Sequence, residues 1–127
     1  MHDMRTPLAK VRGLGAAREG TGNFWRIRVT SIALIPLSMF VVGWVLSMRG
    51  AGLAEVRASL ANPLTALAIA LFLIVSLDHM RLGMKEIIED YIHDEGGKLA
   101  LLILNSFFCV LIGAASIFAL LKLSFGG

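Results

Sequence analysis

The sequence predicts an all-α integral membrane fold: three transmembrane helices behind a cytoplasmic N-terminal tail. Composition is the first observation. The 127 residues are 57% apolar, and Asp, Glu, Lys and Arg supply only 17%. Mean hydropathy is +0.77. Soluble domains run near 25% charged, so this chain lacks the polar surface to coat a soluble globule. Disorder is excluded by the same hydrophobicity. Three uncharged runs are the second observation: Val29–Met48 with 20 residues, Leu60–Leu77 with 18, and Leu99–Leu121 with 23. A helix rising about 1.5 Å per residue needs about 20 residues to cross about 30 Å of hydrocarbon. The uneven placement of Lys and Arg is the third.

Residues 1–28 read as a cytoplasmic basic segment, and residues 29–127 as a three-helix membrane domain with spans at about 29–48, 60–82 and 99–121. The first span is not a signal peptide. Such a peptide has an apolar core of about 7–15 residues near its start, whereas here 28 residues precede a run of 20 and no small-residue cleavage site follows. Pro36 predicts a kink, with the freed carbonyl taken up by a neighbouring helix or by the Thr30 and Ser31 hydroxyls. Trp25 and Trp44 lie near the two ends of this span, where interfacial aromatics are favoured.

The second span keeps a helical period through VSLDHMRLGMKEIIEDY, so the helix is expected to leave the bilayer and run to about Tyr91, before Gly96-Gly97. In the third span, Gly113-Ala114-Ala115 and Ser116, like Gly43 in the first, offer small faces for close helix approach. Cys109 is expected as a small buried apolar residue. A single cysteine permits no internal disulfide, and three histidines are too few for a closed zinc site without carboxylates.

Orientation follows from the cations. The tail carries Arg5, Lys10, Arg12, Arg18, Arg26 and Arg28, and the segment between spans two and three carries Arg81, Lys85 and Lys98. The opposite side carries Arg49, Arg57 and Lys122. Nine against three puts the N-terminus in the cytoplasm and the C-terminus on the opposite side of the membrane. The tail's basic charge is topogenic and lipid-binding. Gly- and Ala-rich, it is expected to be ordered only by a soluble partner. No nucleic-acid partner is expected.

Chemistry-bearing residues cluster at the end of the second span. At 100° per residue, Gly83 and Asp90 lie within about 40° of His79 around the helix, Glu86 joins them, and Tyr91 lies one residue round from Asp90. Two readings of His79 stand at this point. One is a polar helix end, in which Asp78 and Arg81 pair at i,i+3 and the side chains reach for water. The other is a neutral imidazole aimed into a bundle as an iron ligand, with Gly83 clearing space for a flat cofactor.

The pattern His79, Gly83, Asp90 and Tyr91, at offsets 0, 4, 11 and 12 near the end of the second of three spans, resembles the signature of the small hydrophobic anchor subunits of succinate dehydrogenase (respiratory complex II). The opening RTPLAKVRGLGAAREGTGNFWRIRVTSIALIPL is similar to the cytoplasmic start of bacterial members. The resemblance covers nearly the whole chain. It implies that His79 is an axial ligand of a b-type haem shared with a sister cytochrome b anchor subunit. It implies that Tyr91 hydrogen-bonds ubiquinone, that Asp90 belongs to the same pocket and to proton supply, and that Arg28 lies near the haem propionates and quinone. Arg26 and Arg81 are the alternatives for that last role. At Met80-Arg81 the chain departs from relatives that carry an aromatic two residues after the histidine, which leaves the packing at the haem edge open.

The remaining partners so implied are the iron–sulfur and flavoprotein subunits and membrane lipid. The chain itself has no GxGxxG and no cysteine cluster. It is therefore expected to be non-catalytic alone and to act as one subunit of a succinate:quinone oxidoreductase. The rivals are a structural or assembly subunit of another membrane complex without haem, and a fumarate reductase-type anchor. A multidrug-type transporter would need a carboxylate in mid-span, and Asp78 sits at a span end. Three spans also cannot form the inverted pairs of transporters.

Overall fold

The structure is a computed structural model, and it describes residues 6–8 and 19–126. The basic residues Arg5, Lys10, Arg12 and Arg18, and the expectation about order in the tail, lie outside the described residues. Four helices have their bounds among the described residues, in order α1 Glu19–Ser47, α2 Leu53–Ala61, α3 Pro63–Tyr91 and α4 Glu95–Ser124. Three of them, over Gly22–Ser47, Pro63–Tyr91 and Glu95–Ser124, are long and apolar enough to cross a membrane. No described residue forms a strand.

Helix α1 runs unbroken through Pro36. The Thr30 and Ser31 hydroxyls do not serve the carbonyl that Pro36 frees. Thr30 bonds back to the carbonyls of Arg26 (2.7 Å) and Ile27 (3.0 Å), and Ser31 to that of Ile27 (2.7 Å). A hydroxyl on a helix reaches the turn before it, and the freed carbonyl, that of Ile32, lies ahead. The chain leaves α1 through Gly50, whose φ of +80° favours glycine.

The second uncharged run does not begin as a span at residue 60. Leu60 belongs to the short helix α2, and α3 starts three residues later, at Pro63. Asn62 explains the break. Its side chain accepts the amide of Leu64 at 3.0 Å, and Pro63, with no N–H to satisfy, takes the first helical position. Two bonds tie α2 across the end of the bundle: Trp44 Nε1 donates to Ser59 Oγ at 2.8 Å, and Ser124 Oγ donates to the Leu60 carbonyl at 2.6 Å.

Gly96 and Gly97 sit inside the first turn of α4 and do not separate it from α3. Asp94 caps that turn, its Oδ2 accepting the Gly97 amide at 2.8 Å. A Cβ on residue 97 would come within 3.0 Å of the capping oxygen, so the second glycine makes room for the cap.

Helix α3 is central. It packs against α1 on one side and α4 on the other, while α1 and α4 do not pack together. A Cβ on Gly113 would stand 3.3 Å from Leu77 Cδ1, so the missing side chain lets α4 approach α3. Cys109 is buried, as are Leu60, Leu82, Ile88 and Leu120. Most other large apolar side chains face outward, among them Phe107 at 69% and Phe118 at 68% exposure. In water such a surface would aggregate; in a bilayer it meets lipid or other membrane helices.

Candidate functional site

Length places the site residues along α3. From Pro63, His79 lies 16 residues on and Tyr91 28 residues on, which is about 24 Å and about 42 Å of helix rise. With Pro63 at one hydrocarbon edge, His79 falls inside a layer about 30 Å thick and Tyr91 beyond its far edge. The helix reaches from the apolar layer to the aqueous boundary in one rigid piece.

His79 is half-buried, and α1 supplies its partner. The Thr30 hydroxyl oxygen stands 2.9 Å from His79 Nδ1. Among the described residues no hydrogen bond reaches Nε2. One turn further along α3, a Cβ added to Gly83 would meet nothing within 4 Å. The residues therefore fit a planar group held by one imidazole nitrogen: among the described residues Nε2 is without a hydrogen bond, and one turn on along the same helix face Gly83 leaves open space. No three His, Cys, Asp or Glu side chains gather among the described residues, so any metal held at His79 takes its remaining ligands from elsewhere.

Beside the histidine lies a three-membered ion cluster. Asp78 Oδ1 accepts from Arg26 Nη2 at 2.8 Å and from Arg81 Nη2 at 3.2 Å. The expected i,i+3 pair is present, and Arg26 of α1 joins it. A carboxylate at this depth is costly alone, and two guanidiniums lower that cost. Arg26, Arg81 and Lys85 also line a cleft of about 300 Å³ between α1 and α4, with Asn23, Asn105 and Ser106. Lys85 pairs with Glu89 at 3.7 Å. Asn105 donates to the Arg81 carbonyl at 3.0 Å, so a mid-span amide finds its partner on the neighbouring helix.

Arg28 is not brought to this cluster. It is exposed and lies over the Phe24 ring, with Cζ 4.7 Å from the centroid. Two residues are 200° on a helix, so Arg28 sits about 160° round α1 from Thr30 and faces away from α3. Asp90 and Tyr91 close the last turn of α3, both exposed, with no hydrogen bond or ion pair among the described residues. His79, Gly83 and Asp90 share a face, and Tyr91 stands 75% exposed beside it.

Sequence reasoning missed two contributors. Thr30 was read only as a backbone partner. The signal for its second role is its place one turn from Arg26 on the α1 face that packs on α3. Asn105 was not singled out, although an amide in the middle of a span needs a partner.

The profile of the succinate dehydrogenase/fumarate reductase transmembrane subunit family matches residues 2–113. The chain is 35% identical over 126 residues to the succinate dehydrogenase hydrophobic membrane anchor subunit of Paracoccus denitrificans, covering 95% of this chain and 93% of that one. It is 27% identical over 121 residues to the subunit of the same description from Rickettsia conorii, covering 94% and 96% of the two chains. With the corresponding Rickettsia bellii subunit the identity is 28% over 118 residues, covering 93% and 94%. No solved structure matches the chain.

Proposed function

The chain belongs to the succinate dehydrogenase/fumarate reductase transmembrane subunit family as a membrane anchor subunit, and on that footing we propose that it shares a b-type haem with a sister anchor chain and frames a quinone site. The observation that carries the reading is the state of His79: Nδ1 engaged by α1 at 2.9 Å, Nε2 without a hydrogen bond among the described residues, and open space at Gly83. His79 Nε2 would hold the iron, together with a ligand from the sister cytochrome b chain. A b-type haem there would supply a one-electron carrier inside the membrane.

The chain's own residues perform the rest. Tyr91 donates a hydrogen bond to a quinone carbonyl oxygen, and this bond strengthens as that oxygen gains negative charge. Asp90, exposed at the end of α3, passes protons from the aqueous side. Arg26 and Arg81 support the basic role near acidic cofactor groups better than Arg28 does, because both converge on Asp78 next to His79. The flavoprotein and iron–sulfur subunits, which oxidise succinate, dock at the end where α3 leaves the bilayer. The cation distribution supports a cytoplasmic place for that end.

A reduced-minus-oxidised optical spectrum of the purified complex tests this reading. A b-type signal, with haem in fixed proportion to flavin, is expected. A complex that contains this chain, reduces quinone and shows no haem signal would instead support a purely structural anchor.

A further inference from the structure

We propose that Thr30 is a positioning residue for His79. Its hydroxyl accepts the Nδ1–H of the imidazole, fixing the tautomer in which the Nε2 lone pair is free to bind iron. The proposal rests on the haem reading above and adds to it a residue on another helix.

Three atoms surround Thr30 Oγ1: the Arg26 carbonyl oxygen at 2.7 Å, the Ile27 carbonyl oxygen at 3.0 Å, and His79 Nδ1 at 2.9 Å. A hydroxyl has one proton and two lone pairs. The carbonyls can only accept. If the proton goes to a carbonyl, the oxygen offers Nδ1 a lone pair, and Nδ1 must carry hydrogen. If the proton goes to Nδ1, the ring hydrogen sits on Nε2.

The ring decides between these. A neutral imidazole has one N–H, and among the described residues Thr30 is its hydrogen-bond partner. With the hydrogen on Nε2, that N–H has no partner at membrane depth, which is unfavourable in a medium without water. With it on Nδ1, the ring and the hydroxyl both donate, and two bonds form in place of one. The favoured arrangement is a relay: His79 Nδ1–H to Thr30 Oγ1, and Thr30 O–H to the carbonyl of Arg26.

The relay also fixes geometry. Back-bonding to the preceding turn holds the β-branched Thr30 side chain in one helical rotamer. The ring on α3 is thereby registered against α1. Histidines that bind metals generally donate the other ring N–H to such an outer partner. That bond orients the ring and raises its basicity, and its loss typically weakens the metal about 10–100-fold.

The test compares Thr30→Val, which keeps the shape and removes the hydroxyl, with Thr30→Ser, which keeps the hydroxyl, in the purified complex. Haem per flavin and the haem midpoint potential are read beside His79→Ala. In Thr30→Val, haem affinity is expected to fall about 10–100-fold. Haem that remains should titrate at a more positive potential, because an imidazole without its Nδ1–H bond donates less to ferric iron. Thr30→Ser should restore both. Thr30→Ala gives the same readout should Thr30→Val not assemble. Unchanged haem content and potential in the hydroxyl-free variants, while His79→Ala loses the haem, would overturn the role of Thr30 alone. Haem unaffected by His79→Ala would overturn the ligand reading on which it rests.

Discussion

Arg26 and Asp78 are 52 residues apart in the chain, yet the Arg26 guanidinium meets the Asp78 carboxylate at 2.8 Å. This pair joins α1 to α3 one residue before His79. The Thr30 contact joins the same two helices at the histidine itself, so the imidazole stands where two cross-helix polar contacts meet.

The ion cluster is expected to stabilise the contact between α1 and α3. Asp78→Asn leaves two guanidiniums without their carboxylate, whereas Arg26→Gln leaves Asp78 with Arg81. Asp78→Asn should therefore lower the thermal midpoint of the complex more than Arg26→Gln. The double variant should be less impaired than the two effects added, with a coupling of about 0.5–1 kcal/mol. The low end applies because Arg26 is 54% exposed. Strict additivity would mean the pair contributes nothing.

Tyr91→Phe keeps the ring and removes only the hydroxyl. An interfacial anchor tyrosine would lose little. A quinone ligand would lose a hydrogen bond worth about 0.5–1.5 kcal/mol, rising to about 1.5–3 kcal/mol as the carbonyl oxygen gains charge. Quinone reduction is expected to slow about tenfold, while succinate oxidation measured with a soluble dye stays normal. Equal quinone activity in the variant and the parent would remove Tyr91 from the site and turn attention to Asp90.

Topology can be read with reporters. The nine-to-three division of Lys and Arg predicts that a reporter after Gly127 is periplasmic and one inserted at Gly96 is cytoplasmic. The inverse pattern would move the ends of α3 to the opposite sides and take Tyr91 away from the soluble subunits.

The spans were legible because an uncharged run of about 20 residues has few uses other than crossing a bilayer. The end of α3 at Tyr91 was legible because the helical period continued past the apolar run. The start of α3 was misread, since hydropathy does not register Asn62-Pro63 as a boundary, although cap chemistry does. The place of Gly96-Gly97 inside α4 was not legible, because its use against the Asp94 cap depends on a backbone turn that composition does not reveal. At the site, spacing on one helix sufficed for the face shared by His79, Gly83 and Asp90. Thr30 and Arg26 come from another helix, and their arrival at His79 and Asp78 depends on how α1 packs on α3, which no pattern within one segment encodes. Arg28 shows the same dependence on packing: two residues from Arg26 in sequence, it lies over the Phe24 ring and does not join the Asp78 cluster.

The central claim, that His79 binds haem iron, is tested most directly by the reduced-minus-oxidised spectrum of complex carrying His79→Ala, with His93→Ala as the control. His93 is exposed in the turn between α3 and α4, and its replacement should leave the haem signal intact. His79→Ala should abolish or grossly shift that signal while all subunits remain assembled. An assembled His79→Ala complex whose haem spectrum matches the parent's would contradict the account.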